Sequence, residues 1–310
     1  MVFNTIYLIY YPKCTKLIVG VSGGNYMSKF LLVAESGADI DPKFVEQYQI
    51  SIVPMHVSFD DETLDDLSFP VDKIIEYHSK TGKIPKTSGS NPGEFNKVFD
   101  ELHAKYPDKH IIHLAYSAVT TVSYQSAVIA SEGRDYVTSI DTKQVSVGQG
   151  TIVIKVARFL EENPDCTLEE VCAEADRIIK TVHMGFIPGD LSYLKAGGRV
   201  SNAQYLGAKM LNLNPMIEIL DGKLMSVKKY RGSLKFIASK VFQDLERQYN
   251  FDKDFIVLGG TATCSEEVIQ NLKQAAKDSG YKEIIWMDAG CVICVHGGPG
   301  AFGIVGISKE

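Results

Sequence analysis

The sequence predicts an α/β protein of two domains: an N-terminal domain with a mainly parallel sheet flanked by helices, and a C-terminal α+β domain with a mixed or antiparallel sheet. At 310 residues the chain is long for a single hydrophobic core. Its first half alternates short apolar runs with helical stretches, which is typical of a parallel sheet covered on both faces. Its second half combines a hairpin with helices and separate strands, which indicates an α+β arrangement.

The regular elements of the first half begin at Lys29. Strands are predicted over "KFLLVAES", "ISIVPMHVSF", "HIIHLAYS" and "DYVTSID". Helices are predicted after Asp41-Pro42, over Val71–Lys80, from Pro92 to about Tyr106, over Ser123–Glu132 and from about Val147 to Glu162. The third helix opens with Asn91 as N-cap, Pro92 at the first helical position and Glu94 at the third, which approximates a capping box.

The second half opens with a predicted helix over Leu168–Val182. The later elements are a helix from Ser201 to about Leu213 whose capping box is Ser201 and Gln204, the hairpin "PMIEILDGKLMSVKKY", a helix over Leu234–Tyr249, the strand "DFIVLGG", a helix over Glu266–Ser279 and two last strands. Asp221-Gly222 is predicted to form the hairpin turn, because this dipeptide favours tight two-residue turns.

We predict domain boundaries at 27–183 and 184–310, with residues 1–26 set apart. The opening "MVFNTIYLIYYPKC" has no basic stretch before its apolar run and makes a poor signal peptide. Codons for Ser22-Gly23-Gly24 can spell a purine-rich ribosome-binding site just ahead of Met27. We therefore hypothesise that translation starts at Met27 and that residues 1–26 are a non-native leader, which intact-mass analysis of protein made from its own promoter tests.

Composition excludes several classes of protein. Apolar residues make up 45% and charged residues 23%, as in soluble globular proteins. The net charge of −6 argues against a nucleic-acid-binding surface. No apolar run approaches the roughly 20 residues that span a bilayer. The six cysteines lack the spacing of a small disulfide-rich domain, which favours a reduced, cytoplasmic setting.

Three motif matches lack the structural context that their chemistry requires. Gly20–Gly24 fits G-x-S-x-G around Ser22, but another strand rather than a helix follows it. Gly298–Gly303 fits G-x-G-x-x-G, but the sequence after it is too short for the helix, strand and acidic residue of a dinucleotide site. Cys291 and Cys294 invite a metal or redox interpretation. However, "CVICVH" has the pattern of a buried strand, in which residues three apart point to opposite faces, so we interpret both cysteines as structural.

Small polar clusters indicate an anion site. Thr87–Asn91 precedes a helix start, Ser117–Ser123 joins a strand to a helix, and Gly197-Gly198-Arg199 precedes the helix capped by Ser201. Free backbone N–H groups and the helix dipole favour an anion at such places. His296 stands before Gly-Gly-Pro-Gly, whereas His56 and His113 lie in apolar strands and are interpreted as core residues. If these segments converge, they hold a carboxylate or phosphate; the alternative is that each is only a cap or turn.

The order of segments resembles the DegV family of bacterial lipid-binding proteins. The resemblance extends from about Lys29 to Ile307. It is carried by "LVAESGAD", "ISIVPMHVSF", "KTSGSNPGEF", "SYQSA", "IDTKQVSVGQG", "LSYLKAGGRVSNAQYLGAKMLNLNPMIEILDGKL", "KKYRG" and "HGGPGAFGIVGI". It implies two α/β domains with a long-chain fatty acid buried between them. It further implies a carrier that is not itself an enzyme and that hands the acid to a separate ATP-dependent fatty acid kinase for phospholipid synthesis.

The resemblance also implies a set of site residues, with no cofactor and no metal. The carboxylate end would comprise Thr87, Ser88, Ser117, Ala118, Thr121, Arg199 and His296. The acyl tunnel would comprise Leu206, Met210, Leu211, Leu213, Met216 and Ile217, which at these spacings would equally make ordinary core. Transient contact with a membrane surface is compatible with such a carrier.

The sequence departs from the family pattern in the segment Ser117–Ser123. The family's loop usually reads like Ser-Ser-Gly-Leu-Ser-Gly-Thr, whereas here Ala118 lacks a hydroxyl and valines replace two glycines. Backbone amides or Thr121 would have to substitute, and Glu35 stands where Asp is more usual. Two other functions remain open: an enzyme using His296 as acid/base and Arg199 as anion clamp, or a lipid-sensing regulatory protein.

Overall fold

A parallel sheet organises the first half of the chain. The computed structural model of the protein describes residues 28–198 and 213–309. In this part of the chain four parallel strands lie in the order β2-β1-β6-β7. Their bounds are β1 (Phe30–Glu35), β2 (Ser51–Val53), β6 (His110–Ala115) and β7 (Val137–Asp141). All six residues of β1 are buried, as expected of a strand covered on both faces.

Helices cover both faces of this sheet. The helices of the first half are α1 (Pro42–Gln47), α2 (Asp72–Thr81), α3 (Pro92–Lys105), α4 (Ser123–Ala130), α5 (Ser146–Glu162) and α6 (Leu168–Thr181). Phe95 and Phe99 of α3 pack with Leu31 and Val33 on one face of β1. Helix α5 packs on the other face with Leu32. The capping box of Asn91 and Glu94 at the start of α3 is confirmed.

A small antiparallel sheet adjoins the parallel one. It has the strand order β4-β3-β5 and consists of β3 (His56–Phe59), β4 (Glu62–Asp65) and β5 (Lys86–Ser88). The single strand predicted over "ISIVPMHVSF" is therefore wrong, because the chain leaves β2 at Pro54 and enters β3 at His56. Proline cannot donate to a ladder, so it ends the first pairing. Val57 pairs with Thr87, which fixes β5 beside β3.

The second half forms a mixed sheet with the order β10-β9-β8-β13-β11-β12 among the described residues. Its strands are β8 (Val182–Ile187), β9 (Leu213–Leu220), β10 (Lys223–Arg231), β11 (Phe255–Gly260), β12 (Glu283–Asp288) and β13 (Phe302–Ile307). Strand β13 is antiparallel to both β8 and β11, whereas β11 and β12 are parallel. The predicted fold class is confirmed. The hairpin turn lies at Asp221-Gly222, as predicted, and both residues have positive φ.

The stretch "CVICVH" is a helix, so the predicted strand is wrong. The helices of this half are α7 (Leu191–Ala196), α8 (Leu234–Tyr249), α9 (Glu266–Asp278) and α10 (Cys291–Gly297). A short apolar run fits a buried helix as well as a strand, and here two carboxylates fix the helix start. Asp39 accepts from the Gly290 amide, and Asp66 accepts from the amides of Cys291 and Val292.

The thiols of α10 are buried and weakly acidic. Burial raises the pKa of Cys294 to about 12 and also raises that of Cys291. Both thiols are therefore protonated at neutral pH, and Cys291 donates to the Phe69 carbonyl at 3.4 Å. Among the described residues, no group of three or more His, Cys, Asp or Glu side chains is arranged to hold a metal ion.

Helix α5 lies between the two main sheets. Twelve of its residues are buried, and it contacts β1 and β6 on one side and β8, β11 and β13 on the other. A helix that packs on two sides needs apolar residues on both, and the stretch "TIVIKVA" supplies them with Lys155 as its one charged residue. The division at 183/184 stays a prediction. None of the described helices is both long and apolar enough to cross a bilayer.

Some predictions fall outside the described residues. They concern Ser22, the start at Met27, the capping box of Ser201 and Gln204, and the site residues Arg199, Leu206, Met210 and Leu211.

Replacing His183 by Phe is expected to flatten the acid side of the stability profile. His183 stacks on Tyr249 at 3.7 Å between ring centroids, and burial lowers its pKa from 6.5 to about 4. The unfolded chain therefore binds a proton between these values while the folded protein does not, so stability is lost as the pH falls through this window. We expect the wild type to lose about 1–2 kcal/mol more than His183→Phe between pH 6.5 and 4 in urea unfolding. Parallel profiles would contradict this.

Candidate functional site

A cavity lies where the two sheets meet. Its volume is about 360 Å³, within the roughly 300–1,000 Å³ of small-molecule sites. Three residues that line it come from the segments after the parallel strands β2, β6 and β7, namely Met55, Tyr116 and Val145. Thr261 and Ala289 line it from just beyond β11 and β12. Both sheets thus direct the carboxyl ends of parallel strands into the cavity, where open α/β sheets bind their ligands.

The walls of the cavity are mostly apolar. The larger apolar side chains that line it are Met55, Tyr116, Val122, Val145, Val147, Met184, Phe186, Leu194, Leu224, Val292, Ile293 and Phe302. Sequence reasoning did not single out these residues as walls. The alternation in "VHMGFI" could have indicated Met184 and Phe186 as one face of a buried strand. Which helices and loops cover that face depends on tertiary packing, which the pattern does not carry.

One end of the cavity is polar. Thr87, at the centre of β5, and His296, in the last turn of α10, both line it, and Thr87 Oγ1 lies 2.8 Å from His296 Nε2. Gly197 packs against the His296 ring on its Nδ1 side, since a methyl group at position 197 would collide with that atom. The structure therefore brings together three of the predicted segments: the one beginning at Thr87, the one at Gly197 and the one at His296.

Further hydroxyl groups complete the polar end. Thr120 and Thr121, which precede α4, line the cavity together with Ser88 of β5. Thr121 Oγ1 lies 3.1 Å from Ser123 Oγ, and Ser123 Oγ accepts from the Ser90 amide. Gly89 lies so close to Thr121 and Ser123 that a side chain would collide with both hydroxyls. The glycine in "TSGSN" is thus explained by close approach of two polar segments.

Ser117 and Ala118 do not line the cavity, although both were predicted at its polar end. The Ser117 hydroxyl donates to the Gly222 carbonyl at 2.8 Å, which fastens the segment to the β9–β10 turn. The Ala118 amide donates to Asp141 Oδ1 at 3.1 Å. These interactions direct the start of the segment towards other elements, so that only its later residues, Thr120 to Val122, reach the cavity.

The predicted walls on β9 also lie elsewhere. Leu213, Met216 and Ile217 are not among the described residues that line the cavity. Met216 belongs to the core under α8, where Tyr230 approaches its sulfur at 3.7 Å. Met216 therefore packs as an ordinary core residue, which is the alternative given for the predicted tunnel residues.

The other buried histidine has a structural environment. His113 is fully buried, with Nε2 3.3 Å from Glu35 Oε1 and Nδ1 3.2 Å from Ser139 Oγ. His56 Nε2 lies 2.7 Å from Glu94 Oε1, beside the start of α3. Neither His56 nor His113 lines the cavity, whereas His296 does.

A serine beside the cavity is held by a buried acid. Ser146 lies at the start of α5, has a positive φ and lines the cavity. Its hydroxyl donates to Asp39 Oδ2 at 2.5 Å. Burial raises the pKa of Asp39 well above its ordinary 3.8. Asp39 also accepts from the amide of Gly290, which precedes α10. The carboxyl group therefore links the start of α5 to the start of α10. The arrangement offers anchoring rather than an activated nucleophile.

Fold and cavity together define a class of protein: a two-sheet α/β binding protein for a molecule with an apolar body and one polar end. The family model described as "Uncharacterised protein, DegV family" matches residues 29–309, and the chain belongs to the DegV family. A DegV domain-containing protein from Caldanaerobacter subterraneus subsp. tengcongensis is 29% identical over 284 residues, which cover 90% of this chain and 98% of that relative.

Solved structures give the same assignment. A DegV family protein from Thermus thermophilus, described by its fatty acid binding, is 27% identical with a TM-score of 0.81, over 90% of this chain and 99% of its own. DegV from Bacillus subtilis, described as a fatty acid binding protein, is 25% identical with a TM-score of 0.76, again over 90% of this chain and 99% of its own. The resemblance stated from the sequence is confirmed.

Proposed function

We propose that the protein binds a long-chain fatty acid in the cavity and presents its carboxylate to a separate ATP-dependent fatty acid kinase. The observation that carries the proposal is the mostly apolar cavity that has Thr87, Thr121 and His296 at one end. It is further supported by the relatives from Thermus thermophilus and Bacillus subtilis, for which fatty acid binding is described. The product would be an acyl phosphate, which serves phospholipid synthesis in bacteria.

The energetics assign different tasks to the two ends of the ligand. Burying about 14–16 methylenes at roughly 0.8 kcal/mol each gives a gross gain of about 11–13 kcal/mol. Lost motion on binding offsets a large part of this gain. Hydrogen bonds to the charged head, about 1.5–3 kcal/mol each, mainly fix its position. We assign the hydroxyls of Thr87 and Thr121 and the ring of His296 to the carboxylate, and Arg199 to its neutralisation or to docking of the kinase.

The position of the mouth supports transfer to a partner. Val122 lines the cavity and is 64% exposed, so the polar end lies close to the surface at this segment. A carboxylate held there is within reach of a second protein, while the acyl chain stays covered. We place the protein in the cytoplasm, in line with the free thiols of Cys166, Cys172, Cys291 and Cys294.

Native mass spectrometry of the purified protein tests binding: we expect a co-purified mass equal to that of a long-chain fatty acid. A protein that is empty and takes up neither labelled palmitate nor oleate would contradict the proposal. For transfer, the loaded protein is incubated with ATP and a purified fatty acid kinase catalytic subunit, and hydroxylamine traps acyl phosphate as hydroxamate. No hydroxamate from a loaded protein would exclude presentation to that kinase while leaving binding intact.

Thr87→Val is expected to weaken oleate binding by about 10- to 100-fold, because one hydrogen bond to a charged group is lost without a change of side-chain size. Binding is measured by displacement of a fluorescent fatty acid. Thr63→Val is the matched control, since Thr63 lies on β4 of the same small sheet and its hydroxyl contacts Ser58 at the surface. If the two variants bind oleate with equal affinity, Thr87 does not bind the carboxylate.

A further inference from the structure

Two glycines face each other on neighbouring strands beneath the cavity. Gly259 of β11 pairs with Gly303 of β13 in the antiparallel ladder, and both line the cavity. The row continues on either side with full-sized side chains, since Phe186 pairs with Gly303 and Met287 pairs with Gly259. The sheet therefore lacks side chains at two adjoining positions of one row.

The bare positions lie on the face that packs against α5. In the adjacent row, Val305 pairs with Val257 and with Met184, and all three belong to the core shared with α5. Ile304, which lies between Gly303 and Val305 in β13, belongs to the separate core under α8 and α9. Because side chains alternate across a strand, Gly303 is on the same face as Val305. Both glycines thus lie between the sheet and α5, and whether either leaves open space depends on how closely its neighbours approach.

The backbone does not require glycine at position 303. Its φ lies outside the left-handed region, and a methyl group built there would make ordinary contacts, the nearest being 3.5 Å from Phe186 Cβ and 3.6 Å from Met184 Cε. At Gly259 a methyl group would lie 2.8 Å from Val147 Cγ1, so that position is already closed by α5. Gly303 is therefore the position at which one added side chain would fit the protein and still occupy cavity space.

We propose that Gly303 sets the size limit for the acyl chain, a role that rests on the proposed fatty acid binding. The three atoms nearest to a methyl group at this position belong to Phe186, Met184 and Gly185, which places it among the apolar walls. An acyl chain that extends over Gly303 uses the space that the absent side chain leaves there. A side chain at 303 excludes long acids and leaves short acids bound.

The test compares Gly303→Ala and Gly303→Val with the wild type for binding of decanoic, myristic and stearic acids, by displacement of a fluorescent fatty acid. For Gly303→Val we expect the ratio of stearic to decanoic acid dissociation constants to rise on the order of tenfold, with a smaller rise for Gly303→Ala. Ile304→Val is the control, because it trims a buried side chain on the opposite face of the same strand. Its ratio should equal that of the wild type.

Thermal melting accompanies the binding series. Alanine is favoured over glycine within a strand, so Gly303→Ala should melt no lower than the wild type, which keeps the test valid if Gly303→Val is poorly folded. An unchanged ratio in folded Gly303→Ala and Gly303→Val overturns the inference, as does an equal loss for all three acids. If the wild type binds none of the acids, the proposed function itself fails.

Discussion

Asp66→Ala is expected to lower the free energy of unfolding by about 3–5 kcal/mol. The Asp66 side chain is only 5% exposed and accepts four hydrogen bonds. Its donors are the Ser36 hydroxyl and the amides of Leu67, Cys291 and Val292. Alanine would leave these buried donors without an acceptor and would release the start of α10, which carries His296. The measurement is urea unfolding followed by circular dichroism.

Asp65→Ala provides the comparison for this result. Asp65 precedes Asp66 in the chain, but its side chain is 56% exposed and lies 3.4 Å from His56 in a surface ion pair. Such a pair contributes about 0–1 kcal/mol. A loss for Asp66→Ala no larger than that for Asp65→Ala would show that α10 is held in place by its apolar contacts alone.

Glu35→Ala is expected to cost a similar amount, about 3–5 kcal/mol at neutral pH. Glu35 is fully buried at the end of β1 and accepts from the Tyr116 amide at 2.9 Å and from Gln149 Nε2 at 2.7 Å. Burial by itself would raise its pKa, but His113, Tyr116 and Gln149 together lower it below the ordinary 4.5. The carboxylate therefore stabilises the folded protein above pH 4.5, and this contribution fades as the pH falls below it.

The pH profile separates this role from a simple loss of packing. We expect the stability difference between wild type and Glu35→Ala to shrink below pH 4.5 in urea unfolding. Glu46→Ala, an exposed glutamate in α1, is the surface control and should change stability by no more than about 0.5 kcal/mol. A difference that stays constant down to pH 3 would contradict the assigned charge of Glu35.

Local chemistry made much of the fold predictable. Asn91 and Glu94 cap α3 because their side chains bind amides within one turn, and Asp221-Gly222 turns because both residues accept positive φ. In contrast, the apolar run "CVICVH" is too short for its periodicity to distinguish a helix from a strand, and the prediction of a strand is wrong. Asp39 and Asp66 decide it, and they are more than two hundred residues away along the chain.

The same contrast applies to the candidate site. Thr87 and His296 stood out because small polar residues and histidine beside glycines are unusual next to apolar strands. The cavity walls, such as Phe186 and Val292, are ordinary core residues in the sequence, and only the packing of two sheets around α5 gives them a ligand-facing surface. The sequence also does not indicate that Ser117 lies away from the cavity, since its partner Gly222 is supplied by a distant hairpin.

The position of β13 in its sheet affects how the protein folds during translation. This strand is translated after β8 and β11, yet it lies between them and joins them. Until residues 302–307 leave the ribosome, the nascent chain has two separate sheet fragments with open edges, each able to pair with another chain. Because Phe302 and Gly303 of β13 form part of the cavity wall, the cavity is complete only after that strand is inserted.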